Sequence, residues 1–396
     1  MMRHTLLFIL LATMVSCAKD VGNDDTGGGE PEPNTPDVAL VGFNALFLLS
    51  HLHHIVPADY PSYAWVMEGV PQNMPLMPAS KAGDLLAHFE RNDWRASVFR
   101  EIVTLKTVEP VEGDYPFDLA LLAVLRQYEQ RDVELILAFS KPYPSWIDAK
   151  VQSSSGGMYE ELGVVADVIA EFLVRQHTKH GLDEGWMVEK LKIEPFNEFN
   201  AEISGEQRYA AFFDNAVAAK LDEYGVPYKE VLASSIISGD QWLYLDWWTN
   251  YYEAGGKGIP NIHLYPMDTE GVDMHRILSR WESVVTRLQD PASLPNQNRI
   301  VIGEIGFPRA GLGDGRAASV HAAFFETVFN SKIIQSVDRI LFWQLFSDWL
   351  SIDCTDATCD PLTARETTFG YLNFRTNTPE SQMATRFFPF GFQWSH

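Results

Sequence analysis

From residue 38 onward, short runs of apolar and β-branched residues alternate with longer stretches whose apolar positions recur at helical spacing. The short runs predict eight strands. They are Leu40–Phe47, Ser97–Leu105, Glu134–Phe139, the lead-in of Leu191–Asn200, Val231–Ile237, Asn261–Tyr265, Arg299–Glu304 and Arg339–Gln344. Between them, Leu121, Leu122, Leu125 and Tyr128, and again Val165, Val168, Ile169 and Phe172, fall on single helix faces. Similar faces run over 205–224, 274–288 and 317–336. Strands alternating with helices predict an α/β protein whose parallel sheet closes into a (β/α)8 barrel forming one catalytic domain. The rival, an open doubly wound sheet, needs a Gly-rich phosphate turn after its first strand, and none follows Phe43-Asn44.

The first 37 residues have a different texture. Residues 1–17 carry Arg3 and His4, then an apolar run, Leu6–Val15, too short to span a bilayer, and end at Ser16-Cys17. A small residue followed by Cys resembles the lipobox of bacterial lipoproteins, with Cys17 the lipidated first mature residue. An ordinary cleaved signal peptide is the alternative. Residues 18–37 are Gly, Pro, Asp and Glu with almost no apolar content, the composition of a flexible linker, so the barrel domain is 38–396. These features predict an extracytoplasmic, surface-anchored protein that meets the membrane only through an N-terminal lipid. Cys354 and Cys359, close together in a Thr/Asp loop, are expected as a small disulfide rather than a metal site.

The net charge of −23 argues against nucleic acid or an anionic membrane surface as partner and is compatible with a soluble, neutral or basic ligand. Two carboxylates stand out. Glu198, in LKIEPFNEFN, ends the fourth strand directly after Asn197, and Glu304, in RIVIGEIGFP, ends the seventh. A carboxylate at the end of a buried strand is costly unless used or paired. At the mouth of a barrel these two would face each other, and a retaining glycosidase needs its carboxyls about 5 Å apart. The loops at 48–80 and around 238–260 are rich in aromatic residues and would line that mouth.

In this order the motifs resemble glycoside hydrolase clan A, with likeness to families 5, 39 and 53. FREIVTLKTVEPVEGDYPFD matches the clan segment that follows strand two, with Arg100 in the place of its arginine; Asn197-Glu198 matches the acid/base motif. His263-Leu264-Tyr265-Pro266 matches strand six, Glu304 the nucleophile, Trp343 the aromatic of strand eight, and Gly370-Tyr371-Leu372 the closing segment. The third strand departs from family 5 cellulases, carrying AFSKPYPSW where many of them have His. The resemblance implies that Glu198 is proton donor and Glu304 the nucleophile, kept ionised by Arg100 and Tyr265. It implies a carbohydrate substrate and a substrate-binding set of Arg100, Asn197, His263, Tyr265 and Trp343, with Asn197 on the sugar 2-hydroxyl. No cofactor and no metal are expected. Trp242 and Trp349, directly after strands five and eight, are further subsite candidates, whereas Trp247 and Trp248 lie in a helical pattern and are expected in the core. Glu194, deeper in the fourth strand, is expected in a buried salt bridge with Arg100 or Lys192.

A metal-dependent amidohydrolase barrel would also explain His51-Leu52-His53-His54 after strand one. It needs His on strand five, and VLASSII has none, so these are expected as surface or subsite histidines. A non-catalytic glycan-binding protein would keep the aromatic groove and dispense with one carboxylate, whereas both are present. Long loops favour endo-acting cleavage of a β-linked glucan, mannan, xylan or galactan; an exo-acting β-glycosidase is the alternative.

Overall fold

The computed structural model describes residues 40–48, 51–52, 78–91, 98–152, 157–238, 241–265, 274–290, 299–306, 333, 337–343, 346–347 and 372–373, all within the compact unit Val38–His396. Cys17, His53, His54, Trp349, Cys354, Cys359, Gly370 and Tyr371 lie outside the described residues, as does the side chain of Trp242 and all of the 317–336 helical pattern except Ile333. No described helix is long and apolar enough to cross a membrane.

The first half of the chain builds β1 (Leu40–Asn44), α1 (Ala79–Arg91), β2 (Val98–Thr104), the single turn α2 (Leu105–Val108), α3 (Asp118–Glu129) and β3 (Glu134–Ser140). Then come α4 (Ser145–Gln152), α5 (Gly157–Val174) with a π-helical turn Arg175–Lys179, α6 (Glu184–Lys190) and β4 (Leu191–Glu194). The second half adds the single turn α7 (Phe199–Glu202), α8 (Gln207–Tyr224), β5 (Glu230–Val231), β6 (Ile236–Ile237), α9 (Gln241–Glu253), β7 (Asn261–Leu264) and α10 (Met274–Leu288). It ends with β8 (Val301–Ile305), β9 (Arg339–Phe342) and a small pair, β10 (Phe346–Ser347) with β11 (Leu372–Asn373).

The main sheet is parallel throughout, in the order β5-β4-β3-β2-β1-β9-β8-β7-β6. Its two ends are the halves of one predicted strand, Val231–Ile237. Leu232–Ser235 bridge them, with Leu232 N–H donating to Ile193 O at 2.8 Å and Ala233 N–H to Ile259 O at 3.0 Å. Strand five thus gives its lower half to β4 and its upper half to β7, and the sheet closes into the expected barrel.

Alternation along the strands sorts the side chains. Inside the barrel, Val98, Ile136, Leu232, Ile259, Val301 and Leu341 pack as a dry layer. Below it Arg339 and Lys229 donate to Glu134, and Lys192 meets Glu230. Burial opposes ionisation of Glu134, but Arg339 outweighs it and holds the carboxyl below its usual range. Above the layer sit Asn44, Arg100 and Glu194. The outer faces pack on the helices. Leu121, Leu125 and Tyr128 on α3, and Val165, Val168, Ile169 and Phe172 on α5, are buried as their spacing predicted, as are Trp247 and Trp248 on α9. His51 is 8% exposed, a buried rather than a surface histidine.

Candidate active site

The site is organised around Arg100, whose side chain rises from β2 into the barrel above the dry layer and is fully buried. A guanidinium has five N–H donors in a fixed fork, and here all five are used. Nε and Nη2 grip Glu194 at 2.7 Å each, Nη1 reaches Asn44 Oδ1 at 2.8 Å and Glu304 Oε1 at 2.7 Å, and Nη2 also reaches Asn197 Oδ1 at 2.7 Å. Burial alone would lower the arginine's pKa, but the charges of Glu194 and Glu304 outweigh it and hold it above its ordinary value. Glu194 is therefore a structural acid, paired with Arg100, while Lys192 stays with Glu230 one layer down. Asn44 completes the frame, its Nδ2 donating to Gly303 O at 3.0 Å and so tying β1 to the strand that carries Glu304.

Glu304 owes its position to a β-bulge. Asn261 and Ile262 on β7 pair with Val301 and Ile302, but the next partner of His263 is Glu304, and on the other side β9 advances two residues while β8 advances three. By alternation Val301 and Gly303 face the bore and Glu304 would face the helices; the bulge turns Glu304 inward as well. Gly303 permits this because a Cβ there would fall 2.4 Å from Asn261 Oδ1 and 3.2 Å from His263 Nε2. Both Glu304 oxygens are occupied, one by Arg100 and the other by the Tyr265 hydroxyl. Burial pushes the Glu304 carboxyl up from its ordinary value and Glu198 adds to the push; His263, Arg100 and Tyr265 pull against both. The expected full ionisation of Glu304 by Arg100 and Tyr265 is thus opposed by its own burial.

Glu198 sits just before α7 with left-handed backbone, φ 48° and ψ 51°. Its side chain is 22% exposed against 5% for Glu304, so it is the one open to the cleft. His263 Nδ1 lies between the pair, 3.0 Å from Glu198 Oε1 and 3.4 Å from Glu304 Oε2. Burial lowers the pKa of His263 to about 4, leaving the ring neutral with Nδ1–H toward Glu198. Its Nε2 has no partner among the described residues, which suits the unprotonated nitrogen of that tautomer.

Of the expected substrate-binding residues, Arg100 and His263 lie deepest. Both are fully buried beneath the carboxylates, and Arg100 has no donor left for a ligand. Tyr265 is half-buried against Glu304, and Asn197, also half-buried, is turned by Arg100. Trp343, half-buried, follows β9 on the alternation that puts Arg339 and Leu341 inside, and its backbone N–H donates to Ile305 O at 2.9 Å. Trp242 begins α9. Trp146 is partly buried, with its indole N–H on Glu109 O at 2.8 Å. Glu198, His263 and Glu304 present ligand-type atoms within 4.8 Å of one another, a spacing that could accept a cation. Arg100 already supplies the positive charge there. Asn44, Ser235 and Glu202 were missed in the sequence: a polar residue at a strand end is a weak signal alone. Glu202, one turn after Glu198, takes the Ser140 hydroxyl at 3.3 Å, and burial and the Glu198 charge push its carboxyl up.

No family model matches the chain, and no curated protein sequence matches it significantly. Solved structures do match. GH5_18 from Bifidobacterium longum subsp. longum ATCC 55813 superposes with a TM-score of 0.56 at 12% identity, covering 88% of this chain and 78% of that one. A GH5_18 variant from Streptomyces cattleya in complex with Manb1-4GlcNAc gives 0.53 at 12% identity, over 90% and 82%. The exo-beta-1,4-mannosidase Op5Man5 from Opitutaceae bacterium strain TAV5 gives 0.54 at 17% identity, over 89% of this chain and 59% of that one. At these identities the likeness is one of fold, and that fold is the (β/α)8 barrel of the clan A glycoside hydrolases that the sequence motifs resemble.

Proposed function

We propose that the protein is a retaining glycoside hydrolase acting on a β-linked glycan, with Glu198 as proton donor and Glu304 as nucleophile. The observation that carries this reading is the convergence of the two carboxylates on His263 Nδ1, with oxygens within 4.8 Å of each other. Retaining enzymes hold their carboxyls about 5–5.5 Å apart and inverting ones about 6.5–9.5 Å apart. The pair shares one proton. Both Glu304 oxygens already accept hydrogen bonds from Arg100 and Tyr265, which assigns the proton to Glu198, the more exposed of the two carboxyls. Glu304 attacks the anomeric carbon as Glu198 protonates the leaving oxygen, giving a glycosyl-enzyme ester and a free alcohol. Glu198, now a base, takes a proton from water, which displaces Glu304 and restores the original configuration.

Endo-acting cleavage of a β-glucan, β-mannan, xylan or galactan, with Trp343, Trp242 and Trp349 as stacking surfaces, rests on the aromatic content of the 48–80 stretch alone. The expected loop around 238–260 is largely the helix α9, with Tyr244, Trp247, Trp248 and Tyr251 buried in the core. A second reading is exo-acting removal of β-mannosyl units, favoured by the fold neighbours, one an exo-β-1,4-mannosidase and one a complex with Manb1-4GlcNAc. We place the enzyme at the bacterial surface, tethered through lipid on Cys17 and the 18–37 linker, with a Cys354–Cys359 disulfide. A panel of β-glucan, β-mannan, xylan and galactan, read by product size and by the anomeric configuration of the first product, tests the reading. Glu198→Ala and Glu304→Ala should each abolish cleavage while the fold, read by circular dichroism, is retained. Wild-type turnover in either variant, or inversion at the anomeric carbon, would overturn it.

A further inference from the structure

The proton donor stands on a strained backbone, and one buried side chain holds it there. Glu198 is a non-glycine residue in the left-handed region, where the Cβ crowds the chain and the conformation persists only if its surroundings over-determine it. Ser235, in the stretch between β5 and β6, supplies three of those restraints. Its Oγ accepts the Glu198 backbone N–H at 2.9 Å, its carbonyl accepts the Phe199 N–H at 2.8 Å, and its own N–H donates to Phe196 O at 2.9 Å. The Ser235 hydroxyl also helps to lower the carboxyl of Glu194 against burial, after the larger pull of Arg100. Ser235 is fully buried and touches neither the cleft nor the reacting atoms.

We infer that Ser235 is a positioning residue for general acid catalysis, setting the backbone conformation that aims Glu198 at the leaving oxygen. The inference rests on the glycosidase reading above. It follows from connectivity: without Oγ the Glu198 N–H loses its acceptor, and of the three restraints only the two made by the Ser235 backbone remain. Glu304 is held from β1, β2 and β7 and keeps its partners. The defect is therefore specific to proton donation, and general acid assistance is worth about 10²–10⁴-fold only where the leaving group needs it.

The test is a leaving-group series of aryl β-D-mannosides and β-D-glucosides, from 2,4-dinitrophenyl to 4-methoxyphenyl, with kcat/KM measured for wild type, Ser235→Ala and Ser235→Cys. Ser235→Ala should lose on the order of 100-fold on the 4-methoxyphenyl glycoside and less than about 3-fold on the dinitrophenyl one, whose departure needs no proton. Ser235→Cys, isosteric and a weaker acceptor, should show the same steepening to a smaller degree and carries the test where the alanine variant does not fold. An equal loss across the series would assign Ser235 to general stability, and a wild-type slope would remove its role altogether; either overturns the inference while leaving Glu198 and Glu304 in place. A wild-type enzyme inert on both glycosides and on the polysaccharide panel overturns the glycosidase reading itself, and this inference with it.

Discussion

Arg100→Lys keeps the charge and changes the geometry, which makes it the most informative single perturbation of the site. The guanidinium serves Glu194, Asn44, Asn197 and Glu304 through five donors spread over a rigid plane. An ammonium has three donors on one atom, so it can sit with Glu194 or with Glu304 but cannot span both. At least two charge-assisted bonds are lost, at about 1.5–3 kcal/mol each, or roughly 3–6 kcal/mol in all. For a domain of this size about 1 kcal/mol moves the melting temperature by about 1–1.5 °C, so a fall of roughly 4–8 °C is expected by calorimetry. The effect on activity is more specific. Arg100 is one of three groups that pull the Glu304 carboxyl down against burial. A weaker pull raises that carboxyl further, so the acid limb of the kcat/KM profile, which reports ionisation of the nucleophile, moves to higher pH. One pKa unit corresponds to about 1.36 kcal/mol, so loss of a single Glu304 bond shifts the limb by about one unit or more. A variant whose melting temperature falls by less than about 2 °C and whose acid limb stays in place would refute the reasoning.

Two further outcomes follow from other side chains. Burial pushes Asp214 up to about 7 from an ordinary 3.8, despite its bonds to Ser234 and Tyr251. A folded-state pKa above the unfolded one means that its contribution to stability is complete below about pH 4 and is lost as pH rises through 7, by roughly 4 kcal/mol at most. The melting temperature of Asp214→Asn relative to wild type should therefore rise steadily between pH 5 and pH 8, and a constant difference would contradict this. Trp343→Ala should keep the fold, because the ring is only half-buried, and lose about 10-fold in kcat/KM on the preferred glycan, mostly through KM; an unchanged KM would take Trp343 out of the subsite.

The barrel could be read from the sequence because each strand announces itself through apolar runs, and seven of the eight landed within a few residues of their expected places. Strand five was read as one run and is two short ones, because Leu232–Ser235 direct their N–H groups in turn to β4, Ile259, Asp214 and Phe196. Hydrophobic pattern carries no information about such divided pairing. The carboxylates were legible because a charge at the end of an apolar strand has few structural uses. The reach of Arg100 was not: that it binds protein rather than ligand depends on Glu194 and Asn44 lying beside it, and three different strands supply those residues. Ser235 gave no signal because its role is to hold a backbone conformation elsewhere in the chain.

The bulge in β8 has a consequence for how this site tolerates change. Glu304 points inward because of how many residues β8 places between two fixed hydrogen-bonded pairs, not because of the chemistry of its neighbours. The apolar residues of β8 can therefore vary in size while the carboxylate keeps its aim. Ironing out the bulge with both residues kept, so that Gly303 stood opposite Leu341 and Glu304 opposite Phe342, would turn the acid outward among the helices. The catalytic reading frame of this strand is thus written in its register, and a one-residue slip past β9 threatens it far more than a change of side-chain size does.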